Sequence, residues 1–210
     1  PVEAENEIAR VVPVIEGLIG RLEVPISIDT RKATVAAAAV AAGASLVNDV
    51  SMLGDAAMSG MLAESGVPII VSHIRQGGHQ GDMVEDVLGD LRRSIEELVI
   101  AGVERSRVIV DPGVGFAKSG AQSMALLRNI SELRAMLALP VLIGTSRKSF
   151  IGAVTGESVD DRRFGTAATV ALAIQGGADI VRVHDMREMV SVVKMSDALT
   201  RQQRDGTPDA

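Results

Sequence analysis

Polar and charged residues recur at or just past the ends of short Val/Ile-rich runs: Asp29 in ISID, Asn48 in LVND, His73 in IIVSH, Asp111 in VIVD, Ser146 and Lys148 in LIGTSRK, and Arg182 and His184 in IVRVHD. Arg182 is the most telling. A guanidinium within an apolar run costs several kcal/mol unless it is paired, and His184, two residues on, shares its face if the run is extended. Arg182 and Lys148 therefore either form ion pairs with carboxylates such as Asp29 and Asp111, or receive an anionic or acidic ligand. Taken singly, each residue has a plain structural alternative. Asp29-Thr30 could cap a helix, Asn48-Asp49 could form an Asx-turn, Asp111-Pro112-Gly113 is an ordinary turn, and His73 could be a satisfied, half-buried histidine. Their joint placement favours a binding site.

The elements that must position these residues alternate. Six apolar runs, 24–30, 45–50, 68–73, 108–113, 140–146 and 180–185, have strand length and strand composition. Helical patterns lie between them at 32–42, 56–65, 86–101, 122–137, 162–175 and 187–200, and the chain opens within another, PVEAENEIARVVPVIE. Gly43, Gly66, Gly102 and Gly176-Gly177 fall where helices end. Alternation without hairpin signals implies right-handed crossovers and a parallel sheet, either an open doubly wound sheet or a barrel. In a parallel sheet the C-terminal strand ends share one edge, and in a (β/α)8 barrel they converge on the mouth where catalytic groups sit. No G-x-x-x-x-G-K-S/T or G-x-G-x-x-G loop follows a strand, which argues against a dinucleotide fold.

Composition narrows the partners. The chain has 210 residues, 47% hydrophobic, enough for one sizeable core. A net charge of −6, with no Trp or Tyr and three Phe, argues against a nucleic-acid partner or an anionic membrane surface. There is no cysteine, which excludes disulfides and thiolate metal sites and fits a reducing cytoplasm. No run approaches the ~20 apolar residues of a bilayer span.

ISIDTRKATVA, LVNDVS, DPGVGFAK, GTSRKSFIG, RFGTAAT and IVRVHD resemble, in order and spacing, the dihydropteroate synthases. The resemblance runs from the first residues to about Arg201 and implies a parallel (β/α)8 barrel with a single pterin-binding domain over 1–201 and a polar, flexible tail at 202–210. It implies a transferase of folate biosynthesis that joins 6-hydroxymethyl-7,8-dihydropterin diphosphate to 4-aminobenzoate and releases pyrophosphate, with Mg²⁺, as a cytoplasmic homodimer and a sulfonamide target. Asp29, Asn48, Asp111 and Lys148 would bind the pterin, Ser146, Phe116 and Lys148 the aminobenzoate, and Arg182 and His184 the diphosphate. Lys148, Asp111 and Arg182 would be catalytic, and no metal ligand is assigned. A carboxylate can accept paired N–H donors of an aminopyrimidinone ring, and a forked guanidinium suits phosphate oxygens. Lys148, rather than Arg147, is expected to be the working charge; Arg147 should point away from it if extended alternation persists.

The sequence also departs from that pattern. Six βα units are present where eight are expected, at roughly 30 residues each in a ~250-residue barrel. The opening segment matches the helix after the family's second strand, so the resemblance implies that strands 3–8 are present, that the natural protein is longer, and that this chain alone is poorly active. Ser72 stands where the family more often has Met against the pterin, and Arg75–Gly81 is short for its loop. The rival readings are a methyltetrahydrofolate-dependent methyltransferase barrel, not expected to carry SRK and RVHD, and a non-catalytic pterin-binding paralogue.

Overall fold

Ile28, Val47, Ile69, Val71, Val108 and Val110 are all buried, which is why their short runs form strands with few polar interruptions. They build a four-stranded parallel sheet from β1 (Ser27–Asp29), β2 (Leu46–Asp49), β3 (Ile69–Ser72) and β4 (Val108–Asp111), in that order. The structure, a computed structural model, describes residues 2–75, 78 and 81–200. It divides into two compact units, the first running to Gly113 apart from residues 78–84, which belong with the second.

In the first unit, α1 (Ala4–Leu18), α2 (Ala33–Ala41), α3 (Met58–Ser65) and α4 (Met83–Ile100, whose first two residues belong with the second unit) alternate with the strands. Helix α4 buries Val87, Leu91, Ile95 and Leu98, a stripe at helical spacing. In α2, Val35, Ala36 and Ala39 are fully buried, and the first turn is capped from a distance by Asp55, whose carboxylate accepts the Ala33 N–H at 2.8 Å. Asp29 is thus not the cap that its position before α2 suggested. Thr30 instead donates to Glu7 at 2.6 Å, and Lys32 pairs with the same carboxylate.

The second unit pairs β5 (Leu142–Ile143) with β6 (Ile180–Val181), again parallel. Asp179 locks their entry. Its backbone N–H donates to Val141 O at 2.9 Å, and its carboxylate accepts the Val141 N–H at 3.0 Å and the Arg134 guanidinium. The helices are α5 (Gly120–Arg128), α6 (Ile130–Leu137), α7 (Ser149–Thr155), α8 (Arg163–Gln175) and α9 (Met186–Thr200). Val170, Ile174 and Met189 join α8 to α9 in a core with Val181, Val183, Val192 and Val193 around it.

Three details differ from the sequence reading. The helix expected over 122–137 is two helices, broken at Asn129, whose Nδ2 donates back to Ala125 O at 2.9 Å. Residues 149–155 form a helix that was not expected. Strand β6 ends at Val181, so Arg182 and His184 lie just past it rather than within it. The expected tail at 202–210 lies outside the described residues, as does most of the Arg75–Gly81 loop.

Candidate active site

In the first unit the sheet gathers three of the singled-out residues at its C-terminal edge. Asp29 and Asn48 are register partners on β1 and β2, and Asp111 is the partner of Ser72 across β3 and β4. Asn48 and Asp111 are buried, whereas Asp29 is exposed. The Asp111 carboxylate is oriented by two donors, the Gly113 N–H at 2.8 Å to Oδ1 and the Ser72 hydroxyl at 3.3 Å to Oδ2. A buried carboxylate fixed in this way is suited to paired N–H donors of a flat heterocycle. The turn that follows β2 is organised by Asp49, not Asn48. Asp49 accepts the backbone N–H groups of Ser51 and Leu53, both at 2.7 Å, and supports positive φ at Met52 and Leu53.

His73 is fully buried, more so than the half-buried histidine expected of it as a structural residue, and its Nε2 lies 2.9 Å from Asp90 on α4. Arg75 donates to the same carboxylate through Nε at 2.8 Å, and Arg93 also pairs with it. Burial pushes the Asp90 carboxyl up, but hydrogen bonds from Arg75 and His73 outweigh it and hold the group down at about 2. Sequence reasoning missed Asp90 because only the fold brings it, 17 positions along the chain, beneath His73.

The second unit assembles Phe116, Ser146, Lys148, Arg182 and His184. Lys148 Nζ stands 3.6 Å from the centroid of the Phe116 ring. The fit is tight at Gly115: its φ is +78°, and a Cβ there would meet Lys148 Cδ at 2.9 Å. Ser146 is buried, and its hydroxyl is engaged by His184, lying 3.1 Å from the backbone N–H and 2.9 Å from Nδ1. The Arg182 guanidinium covers Gly144, where a Cβ would come within 3.2 Å of Nη2.

Extended alternation does not persist through SRK. Arg147 adopts a φ of +57°, in the left-handed region that costs an ordinary residue about 1 kcal/mol. The surroundings hold it there. Its backbone N–H donates to Thr166 at 3.1 Å, its carbonyl accepts from Arg162 at 3.0 Å, and its guanidinium grips Asp185 through Nε at 3.1 Å and Nη2 at 2.5 Å. The hydrogen bond to Asp185 raises the Arg147 pKa and lowers that of Asp185. Arg147 is thus spent on Asp185. Asp185 closes the RVHD run that sequence reasoning had singled out for Arg182 and His184, so its signal lay one residue further on.

Comparison with known proteins finds close relatives of this chain. A family model described as pterin binding enzyme matches residues 1–184. A dihydropteroate synthase of Bacillus subtilis is 45% identical over 199 residues, covering 94% of this chain and 70% of that protein. One of Synechocystis is 41% identical, covering 95% and 72%. Among solved structures, dihydropteroate synthase from Clostridium difficile in the presence of pteroic acid has a TM-score of 0.93 at 39% identity, covering 96% of this chain and 77% of that one. The enzyme from Xanthomonas albilineans with 4-aminobenzoic acid has a TM-score of 0.92 at 38% identity, covering 96% and 74%. The fold class is that of these enzymes, the parallel (β/α)8 barrel type. The chain belongs to the pterin-binding enzyme family and, within it, to the dihydropteroate synthases, transferases of folate biosynthesis.

Proposed function

We propose that these residues divide the work of joining 6-hydroxymethyl-7,8-dihydropterin diphosphate to 4-aminobenzoate as follows. Asp111, Asn48 and Asp29 hold the pterin edge, with Asp111 the principal acceptor. Arg182 and His184 bind the diphosphate. The C–O bond at the pterin methylene breaks with its electron pair departing on pyrophosphate, and the amine lone pair of 4-aminobenzoate captures the resulting cation and then loses a proton. Arg182 and His184 stabilise the departing negative charge, and the carboxylates stabilise the pterin cation. Lys148, set against Phe116, borders the aminobenzoate and reaches the pterin. No covalent nucleophile is needed.

The observation that carries this reading is the strand-end register that puts Asp29 beside Asn48 and Ser72 beside Asp111 on one parallel sheet. Mg²⁺ would arrive with the diphosphate, since this ion commonly binds through substrate phosphates. Among the described residues no group of three or more His, Asp or Glu is placed to hold a metal, and no step here runs through the ion. Exposed Phe164 and Leu172 on α8 and Met195 and Leu199 on α9 support a homodimer, which light scattering would test against a monomeric mass. Sulfonamides, as 4-aminobenzoate mimics, should compete with that substrate. The absence of cysteine supports a cytoplasmic setting. Among the described residues no helix is long and apolar enough to cross a membrane.

Pyrophosphate release by the full-length protein with both substrates tests the reading, with Lys148→Ala as control. Turnover that depends on both substrates and falls in the variant is the expected result. Tight pterin binding without any turnover would overturn it in favour of a non-catalytic protein.

A further inference from the structure

Two consecutive residues at the end of β3 both reach Asp111. The Ser72 hydroxyl donates to Asp111 Oδ2 at 3.3 Å, and the His73 backbone N–H donates to the Asp111 carbonyl at 2.8 Å. With the Gly113 N–H on Oδ1 at 2.8 Å, each carboxylate oxygen has a donor from the protein, which fixes the plane of the group. Both Ser72 and His73 are buried, so water does not substitute freely for either contact.

The clamp has a second layer. Asp90 takes Arg75 Nη2 at 2.7 Å and Nε at 2.8 Å, takes Arg93 as well, and lies 2.9 Å from His73 Nε2. A carboxylate held by two guanidinium groups is an acceptor only, so Nε2 carries the ring proton and donates it. The His73 ring is thereby anchored to α4, and with it the end of β3 whose backbone holds Asp111. Arg75 also reaches Asp86 at 3.0 Å, one helical turn before Asp90, so Asp90 is itself held in place.

We infer that Ser72 and Asp90 are positioning residues, Ser72 directly and Asp90 through His73, which preset the Asp111 carboxylate for the pterin ring. The inference rests on the reading of Asp111 as the pterin acceptor. Their contribution is to spare Asp111 a search over side-chain rotations at the moment the heterocycle binds.

The test compares Ser72→Ala, Asp90→Asn and Asp111→Asn in the full chain by calorimetric titration with 6-hydroxymethylpterin, by KM for each substrate, and by thermal melting. Loss of one hydrogen bond to a charged acceptor should raise the pterin Kd and the pterin diphosphate KM of Ser72→Ala about tenfold. The 4-aminobenzoate KM should stay within about twofold, with at most a modest fall in Tm. Asp90→Asn should move the same two pterin constants in the same direction. Should Asp111→Asn abolish pterin binding while both other variants bind it normally, the positioning role is wrong and the acceptor reading stands. A lowered Tm with normal pterin affinity would make the clamp purely structural and equally overturn the inference. Normal pterin binding by Asp111→Asn would sink the acceptor reading and the inference together.

Discussion

The Ser146 hydroxyl binds His184 at two points, accepting its backbone N–H at 3.1 Å and lying 2.9 Å from Nδ1. Because the oxygen serves as acceptor to the backbone, its hydrogen is available to Nδ1. With the hydroxyl donating to Nδ1, Nε2 would carry the ring proton and could donate to an anion. One residue on, Arg147 grips Asp185, so neighbouring positions of one loop hold neighbouring positions of the other.

Ser146→Ala should therefore behave as a diphosphate-site variant. The pterin diphosphate KM and the inhibition constant of added pyrophosphate should both rise up to about tenfold, the value of one well-placed hydrogen bond. Steady-state kinetics with product inhibition measures both. A rise confined to the 4-aminobenzoate KM would instead return the hydroxyl to the role that sequence resemblance assigned it.

Lys148 and Arg147 are adjacent cations in different circumstances, and their variants should separate. The Lys148 ammonium lies over the Phe116 ring, whereas Arg147 is tied to Asp185. Lys148→Ala should lower kcat/KM by about 10- to 100-fold, as expected for loss of a charge acting on the reacting groups, with little change in Tm. Arg147→Ala should lower the Tm and cost less in kcat/KM. Equal kinetic losses would reject this division.

Acid stability should depend on Asp90. Its carboxyl is held at about 2, below the ordinary carboxylate value, so the unfolded chain binds its proton first as pH falls. The stabilisation is complete above about pH 4 and is lost as pH drops from there through about 2, amounting to about 2 kcal/mol. Urea denaturation at a series of pH values should show this decline, and Asp90→Asn should flatten it while being less stable at neutral pH. An identical pH slope in wild type and variant would refute the assignment.

How far the sequence carried follows from what each feature depends on. The strands and their polar ends were legible because both are local: a Val/Ile run ending in Asp, Asn or Ser-Arg-Lys states its own burial and its own edge. Helix α7 was not, being seven residues long with no amphipathic repeat to betray it. The break at Asn129 was hidden because apolar positions on both sides keep a helical rhythm. The extended backbone expected at Arg147 failed for a tertiary reason, since Asp185, Thr166 and Arg162 together hold a left-handed conformation that alternation could not foresee. Asp90 and Asp55 escaped for the same cause, each serving a group far away in sequence.

Gly115 offers the sharpest check on the setting of Lys148. Its φ of +78° favours glycine, and a methyl group there would lie 2.9 Å from Lys148 Cδ. Gly115→Ala thus carries two costs of different kinds. The left-handed backbone should cost about 1 kcal/mol, visible as a modest fall in Tm. The steric conflict falls on the far end of a flexible side chain, which can relieve it by moving, but any such movement takes the ammonium off the Phe116 face. The 4-aminobenzoate KM and kcat should therefore shift towards those of Lys148→Ala, by more than the Tm change alone would suggest. In the Lys148→Ala background the same glycine substitution should cost stability but add little further kinetic loss, because the side chain it displaces is gone. Full additivity in kinetics would mean that Gly115 acts on the site by some route other than Lys148.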